Sequence, residues 1–124
     1  MVDAVTINTI RIDTFLRLAN LTTVDYLEID AQGMELQVLE SAGDRLRDIH
    51  RICVECYVAN PLYRDCPTKE DVLAFFENQN FTLIDVLTQG GGNEENLTFE
   101  NTALDSRWNR LPIGMDGFGC RPKS

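Results

Sequence analysis

The stretch Val24–Leu39, VDYLEIDAQGMELQVL, limits what the rest of the chain can fold into. An apolar run through Tyr26, Leu27 and Ile29 stops at the acid Asp30. Gly33 follows, and an amphipathic run then opens with Met34 and Glu35. Apolar strand, acid, glycine and helix form the order of a strand-to-helix turn in an α/β sheet. Such sheets leave a crevice outside the carboxyl ends of their strands, and ligands bind there. Asp30 is therefore expected on that rim.

The flanking segments extend this pattern. Ala4–Ile12 alternates apolar and polar residues and predicts a strand with one covered face, bulged near Asn8 and Thr9. Asp13 then caps a short helix over 14–19, with Phe15, Leu16 and Leu18 inward. Val24–Ile29 is nearly all apolar apart from Asp25 and Glu28, as expected for a covered, parallel strand. The next helix runs from Gly33 or Met34 to about Arg47, with a core stripe at Leu36, Leu39, Ala42 and Leu46, and Ile49 beyond. Gly43 within it costs about 1 kcal/mol relative to alanine, which close packing would justify.

His50–Val58 reads as a second parallel-type strand, with Glu55 its odd acid. Thr68 and Asp71 form a capping-box variant for a helix from Lys69 to about Gln79, closed by Asn80. Its apolar side is Val72, Leu73, Phe75 and Phe76. Phe81–Leu87 is a third strand, and the glycine-containing turn 89–95 returns the chain into an antiparallel strand over Asn96–Ala103. Right-handed crossovers make the first three main strands parallel neighbours, with a hairpin at the end. The fold class is thus α/β: a mostly parallel sheet with a terminal antiparallel hairpin and helices packed on it. Residues 1–104 form one domain and residues 105–124 an irregular tail, anchored by Trp108.

Twenty acids against 11 bases give a net charge of −9, which repels phosphate backbones. Arg45, Arg47 and Arg51 are interleaved with Asp44 and Asp48, so no basic patch offsets it, and nucleic acid is not an expected partner. No apolar stretch approaches the roughly 18 residues of a membrane helix, and the start has no signal-peptide pattern, so the expectation is cytoplasmic with no membrane partner.

Cys53 and Cys56 have C-x-x-C spacing, but on a strand their side chains point to opposite faces. No second cysteine or histidine pair completes a tetrahedron, so they read as small buried apolar residues and no metal is expected. Cys66 and Cys120 read as loop cysteines. Three Asn-x-Thr matches, at Asn20, Asn80 and Asn96, read as chance in a chain without a leader.

Several of these residues occur together in one known family. The segments TIRIDTFL (9–16), VDYLEIDAQGMELQVL (24–39) and ICVE (52–55) resemble the carboxy-terminal half of FkbM-type methyltransferases. The pattern of Asp13, Asp30-Ala-Gln-Gly33, Glu35 and Glu55 carries the resemblance, which extends to about Asn101. It implies a Rossmann-like, seven-stranded sheet that binds S-adenosylmethionine, and transfer of a methyl group to the oxygen of a small-molecule or glycan acceptor. Family members often carry Lys or His where this chain has Glu28. The glycine-rich cofactor turn and the ribose-binding acid of the family's first half have no counterpart here. Gly90–Gly92 follows a strand but opens no helix, so it reads as a loop.

Two function classes follow. One is a methyltransferase half, inactive alone, whose missing half or a second copy pairs with the exposed edge of the Val24–Ile29 strand. The other is a non-catalytic α/β interaction module. In the first, Asp30 and Glu55 are the catalytic candidates, and Asp30 with Gln32 the cofactor-binding ones. A carboxylate at a strand tip can take the acceptor's proton, bind a divalent metal, or favour a sulfonium charge. Asp30 has an equally physical alternative as a helix cap, and Gln32 as a residue facing water. Glu35 reads as satisfying the turn. Tyr57 and Tyr63 either flank an acceptor or pack. His50 lies at the opposite end of the sheet from Asp30 and reads as a surface or capping residue.

Overall fold

The fold was analysed in a computed structural model, which describes residues 8–58 and 66–104. The elements are α1 (Ile12–Leu18), β1 (Val24–Ile29), α2 (Glu35–Glu40), β2 (Ile49–Tyr57), α3 (Lys69–Phe76), β3 (Phe81–Gln89) and β4 (Glu94–Asn101). A 3-10 turn, Gly43–Asp48, joins α2 to β2. No described helix is long and apolar enough to cross a membrane. The expected tail, with Trp108 and Cys120, lies outside the described residues, as does Tyr63.

The four strands form one sheet in the order β1-β2-β4-β3. β1 and β2 are parallel, as expected. β4 runs antiparallel to both β2 and β3. The sheet is therefore mixed rather than mostly parallel. The expected adjacency of β2 and β3 is replaced by insertion of β4 between them. Burial explains the order: Leu97 and Phe99 of β4 are fully buried, whereas Leu83 and Val86 of β3 are exposed.

Register separates the two faces of the sheet. Ile52 pairs with Leu27 and Phe99, and Val54 with Ile29 and Leu97, so these side chains share one face. They join Leu39, Ala42, Leu46, Val72 and Phe76 in a single core cluster. Phe76 stacks on Phe99 with ring centroids 3.9 Å apart. Burying a side chain of this size contributes roughly 1.5–3 kcal/mol. The helices α2 and α3 thus cover one face. The other face carries Arg51, Cys53, Glu55 and Tyr57 of β2, aligned with Glu100, Thr98, Asn96 and Glu94 of β4. β2 is buried along almost its whole length, on both faces.

Thr68 and Asp71 form the expected capping box, Thr68 Oγ1 accepting from the Asp71 N–H and Asp71 Oδ2 from the Thr68 N–H. The helix ends earlier than expected, with its C-cap at Glu77. The region from Ile12 differs more. Residues 8–11 form no strand, and Ile12 already begins α1, with Arg11 at its N-cap. Only Leu16 of the predicted inward residues is buried, while Phe15 and Leu18 are exposed. At about 100° per residue, Phe15, Leu16 and Leu18 spread around nearly half of the helix, so they do not share one narrow face. Asp13 lies in the first turn, where its backbone N–H donates to Ser41 O at 3.0 Å.

The predicted helix to Arg47 is broken at Gly43, whose φ is +52°. A side chain there would place Cβ 3.0 Å from Asp13 Oδ2. Left-handed backbone and close approach both select glycine. Gly43→Ala is expected to cost about 1–3 kcal/mol, read as a lower urea midpoint with an unchanged slope.

Cys53 and Cys56 are both buried, but they differ in chemistry. Cys53 is disulfide-bonded, which corrects the expectation of a merely apolar residue. Cys56 and Cys66 are free thiols. Burial pushes the Cys56 thiol up to about 12, Glu95 adding to the effect, so it is inert at neutral pH. Asn96 is 6% exposed and accepts from Gln89 Nε2, so this sequon asparagine is committed to the sheet.

Candidate functional site

The parallel pairing of β1 with β2 brings the two suspected acids together. Ile29 stands opposite Val54, so Asp30 and Glu55 follow side by side as β1 leaves the sheet. β4 supplies a third acid from the other side: Glu94 pairs with Tyr57 and reaches the same face as Glu55. The register thus sets the Glu55 carboxyl beside Asp30 and on one face with Glu94. Burial, then the neighbouring charges of Asp30 and Glu94, push the Glu55 carboxyl up to about 7.

This shift sets the sign of a pH effect. Between its ordinary value of 4.5 and about 7, Glu55 holds more proton in the folded chain than in the unfolded chain. Stability therefore falls as pH rises through this window, and the loss is complete above about 7. Glu55→Gln is expected to flatten that slope, measured as urea midpoints at pH 5 and pH 8 for both proteins.

The loop carrying Asp30 is held by Glu35. This carboxylate is 1% exposed. Its Oε2 accepts from the Ala31 N–H at 2.7 Å, and both oxygens accept from the Gly33 N–H, at 3.1 and 3.2 Å. The structural role expected of Glu35 is therefore the one observed. It lets the chain pass through positive φ at Gln32 (+51°) and Gly33 (+106°). Met34, and not Asp30, is the N-cap of α2. Asp30 is exposed and accepts a hydrogen bond from Gln32 Nε2 at 2.9 Å. Gln32 is also exposed, so it faces water while its side chain touches the rim acid.

Other candidates fall elsewhere. Asp13 belongs to the junction of α1 with the end of α2, where the Arg11 guanidinium holds its carboxyl below the usual range. His50 sits at the far end of β2 from Glu55, as expected, but is buried rather than at the surface. Tyr57 is also buried, and so packs within the sheet. Among the described residues, no group of three His, Cys, Asp or Glu side chains is arranged to hold a metal ion.

Two features were missed by sequence reasoning. Glu94 was assigned to the turn because the last strand was started at Asn96. The alternation Glu94, Asn96, Thr98, Glu100 already continues through it. Arg51, 2% exposed, is paired with Glu100 across β2 and β4 at 2.8 Å. The sequence shows Arg51 only as one of three arginines interleaved with Asp44 and Asp48, and gives no sign of its partner Glu100.

A carboxyl pushed up toward neutral pH at a strand tip, flanked by two more carboxylates, is chemically able to take up and release a proton in that range. The family model for the Methyltransferase FkbM domain matches residues 2–83, and the chain belongs to that family. Its function is accordingly methyltransferase-like. The match ends within β3, short of the Asn101 to which the sequence resemblance extends. No curated protein and no solved structure matches the chain.

Proposed function

We propose that this chain provides the acceptor-activating rim of an S-adenosylmethionine-dependent O-methyltransferase acting on a small-molecule or glycan hydroxyl. The observation that carries the reading is the register that sets Glu55 beside Asp30 and on one face with Glu94, where burial and their charges push its carboxyl up to about 7. Ionised Glu55 accepts the hydroxyl proton as the acceptor oxygen becomes the nucleophile. A base with this pKa combines a useful ionised fraction with real basicity at neutral pH. Exposed Asp30 and half-buried Glu94 keep the rim negative, and Gln32 holds Asp30 in place.

The residues present fit part of the cofactor. Three carboxylates complement a sulfonium charge, with Asp30 and Gln32 the ones to hold it. When bound, the cofactor supplies an electrophilic methyl group. Its nucleoside half finds no glycine-rich strand-to-helix turn among the described residues. The open flank of β1 supports a division of the site: among the described residues β1 pairs with β2 alone. A strand edge bearing unpaired N–H and C=O groups takes a further strand. That strand comes from a cofactor-binding half or from a second copy of the chain. The same open edge is what an interaction module would offer, and the acid cluster is what distinguishes the enzyme reading.

Carbon-13 titration of the glutamate side chains tests the base. A midpoint near 7 for Glu55, falling toward 4.5 in Asp30→Asn, is expected. A midpoint near 4.5 in the parent chain would remove Glu55 from the mechanism. Calorimetry with S-adenosylmethionine tests the divided site. Weak or absent binding to this chain is expected, and submillimolar binding would show that the cofactor site is not divided.

A further inference from the structure

The tip of the β3–β4 hairpin adjoins the acid rim, and the proposed reaction makes no use of it. Gly90–Gly92 joins the two strands, and the ladder closes at the pair of Gln89 with Glu94. Register places this tip beside the end of β2: Glu94 stands opposite Tyr57, and the Val58 N–H donates to Asn93 O at 3.0 Å. Gly91 and Gly92 are exposed, with φ of +70° and +95°. A Cβ built on either would meet nothing within 4 Å among the described residues. Backbone shape, not packing, selects glycine at these two positions, so the tip is held through its ends.

Glu94 is the first residue of β4, one step from that glycine turn, and it shares a face with Glu55. The other acid beside Glu55 is anchored. Asp30 accepts from Gln32 Nε2 at 2.9 Å, on a turn closed by Glu35. Of the two acids next to Glu55, Glu94 is therefore the one whose backbone can yield.

We infer that residues 89–93 form a strap, latched to β2 through Val58 and Asn93, which opens when Glu55 and Glu94 both carry charge. The described groups facing Glu55 do not offset that repulsion. On its own strand stand Tyr57, disulfide-bonded Cys53 and, roughly 13 Å back, Arg51, which is paired with Glu100. β1 and its exit present Glu28 and Asp30, and β4 presents Asn96 and Glu94. Asp85 of β3 lies two strands away, opposite Thr98. Lys69 is paired with Glu95 on the other face, at 3.1 Å.

Burial and the charges of Asp30 and Glu94 lift the Glu55 carboxyl to about 7, so it is protonated at pH 5 and ionised at pH 8. The latch is closed at the lower pH and loosened at the higher one. The strap thus yields in the state in which Glu55 accepts a proton. The switch rests on the acid register and the hinge, and stands apart from the methyl-transfer reading.

Amide hydrogen exchange of the full chain, corrected for intrinsic rates, tests the switch at Val58. Its protection is expected to fall about fivefold or more from pH 5 to pH 8. Its exchange is also expected to be insensitive to sub-denaturing urea, as a local opening is, whereas Leu97 and Phe99 in the buried part of β4 respond to urea. Glu55→Gln and Glu94→Gln each remove one of the two charges, and in both variants Val58 protection is expected to be the same at the two pH values. Unchanged protection in the parent, a fall that persists in either variant, or a Val58 urea dependence equal to that of Leu97 and Phe99 overturns the switch. A carbon-13 midpoint near 7 for Glu55 beside an unmoved Val58 overturns the switch alone and leaves the proposed base in place.

Discussion

Glu35→Ala is expected to lower stability by about 2–4 kcal/mol and to free the turn that carries Asp30. The carboxylate is almost fully buried and satisfies the N–H groups of Ala31 and Gly33. Each donor left without an acceptor costs about 1–3 kcal/mol, discounted where water reaches it. The same variant tests whether the turn sets the chemistry. Asp30 raises the Glu55 pKa through its charge. If Glu35 holds Asp30 beside Glu55, Glu35→Ala lets the Glu55 midpoint fall toward 4.5. A urea titration reads the stability and a side-chain carbon titration reads the pKa. Lost stability with an unmoved Glu55 would separate the turn from the site.

The second large effect is an asymmetry. Glu100→Ala is expected to cost about 3–5 kcal/mol, because it removes the carboxylate 2.8 Å from the buried Arg51 guanidinium. Arg51→Met removes the cation instead and leaves Glu100, at 13% side-chain exposure, close enough to solvent to be hydrated. Its cost is expected to be the smaller of the two, about 1–2 kcal/mol, because the carboxylate left behind reaches water. Chemical unfolding of the two variants beside the parent decides the matter. Equal losses would mean that the pair contributes through packing rather than charge.

Much of the site was legible because it depends on local order. The break from apolar Ile29 to Asp30, followed by Gly33 and Glu35, announces a strand tip, a left-handed turn and a carboxylate able to close it. The capping box at Thr68 and Asp71 was readable for the same reason, since its partners lie within one turn of helix. Glu55 was suspect because an acid within HRICVECYV needs either a partner or an exit to solvent.

Strand order was not legible. Alternation says which side chains share a face and is silent about which strand lies beside which. β3, FTLIDVLTQ, is more apolar than β4, EENLTFEN, and composition alone would place β3 inside. The structure puts β4 inside because its polar residues meet those of β2, Glu100 with Arg51 foremost, while Leu97 and Phe99 fill the opposite face. The predicted inward side of α1 failed because Phe15, Leu16 and Leu18 spread around nearly half of the helix, and only Leu16 meets the rest of the fold.

By itself, the sequence determined most of the elements from Val24 onward, the parallel pairing of the first two main strands, the acid at the strand tip and the family. These rest on periodicity, turn chemistry and short-range spacing, which a linear chain carries directly. Only the tertiary structure decided that β4 enters the sheet interior and adds Glu94 to the rim, that Arg51 is buried, and that Gly43 ends a helix. Each depends on atoms distant in sequence competing for the same space. No local pattern encodes that competition.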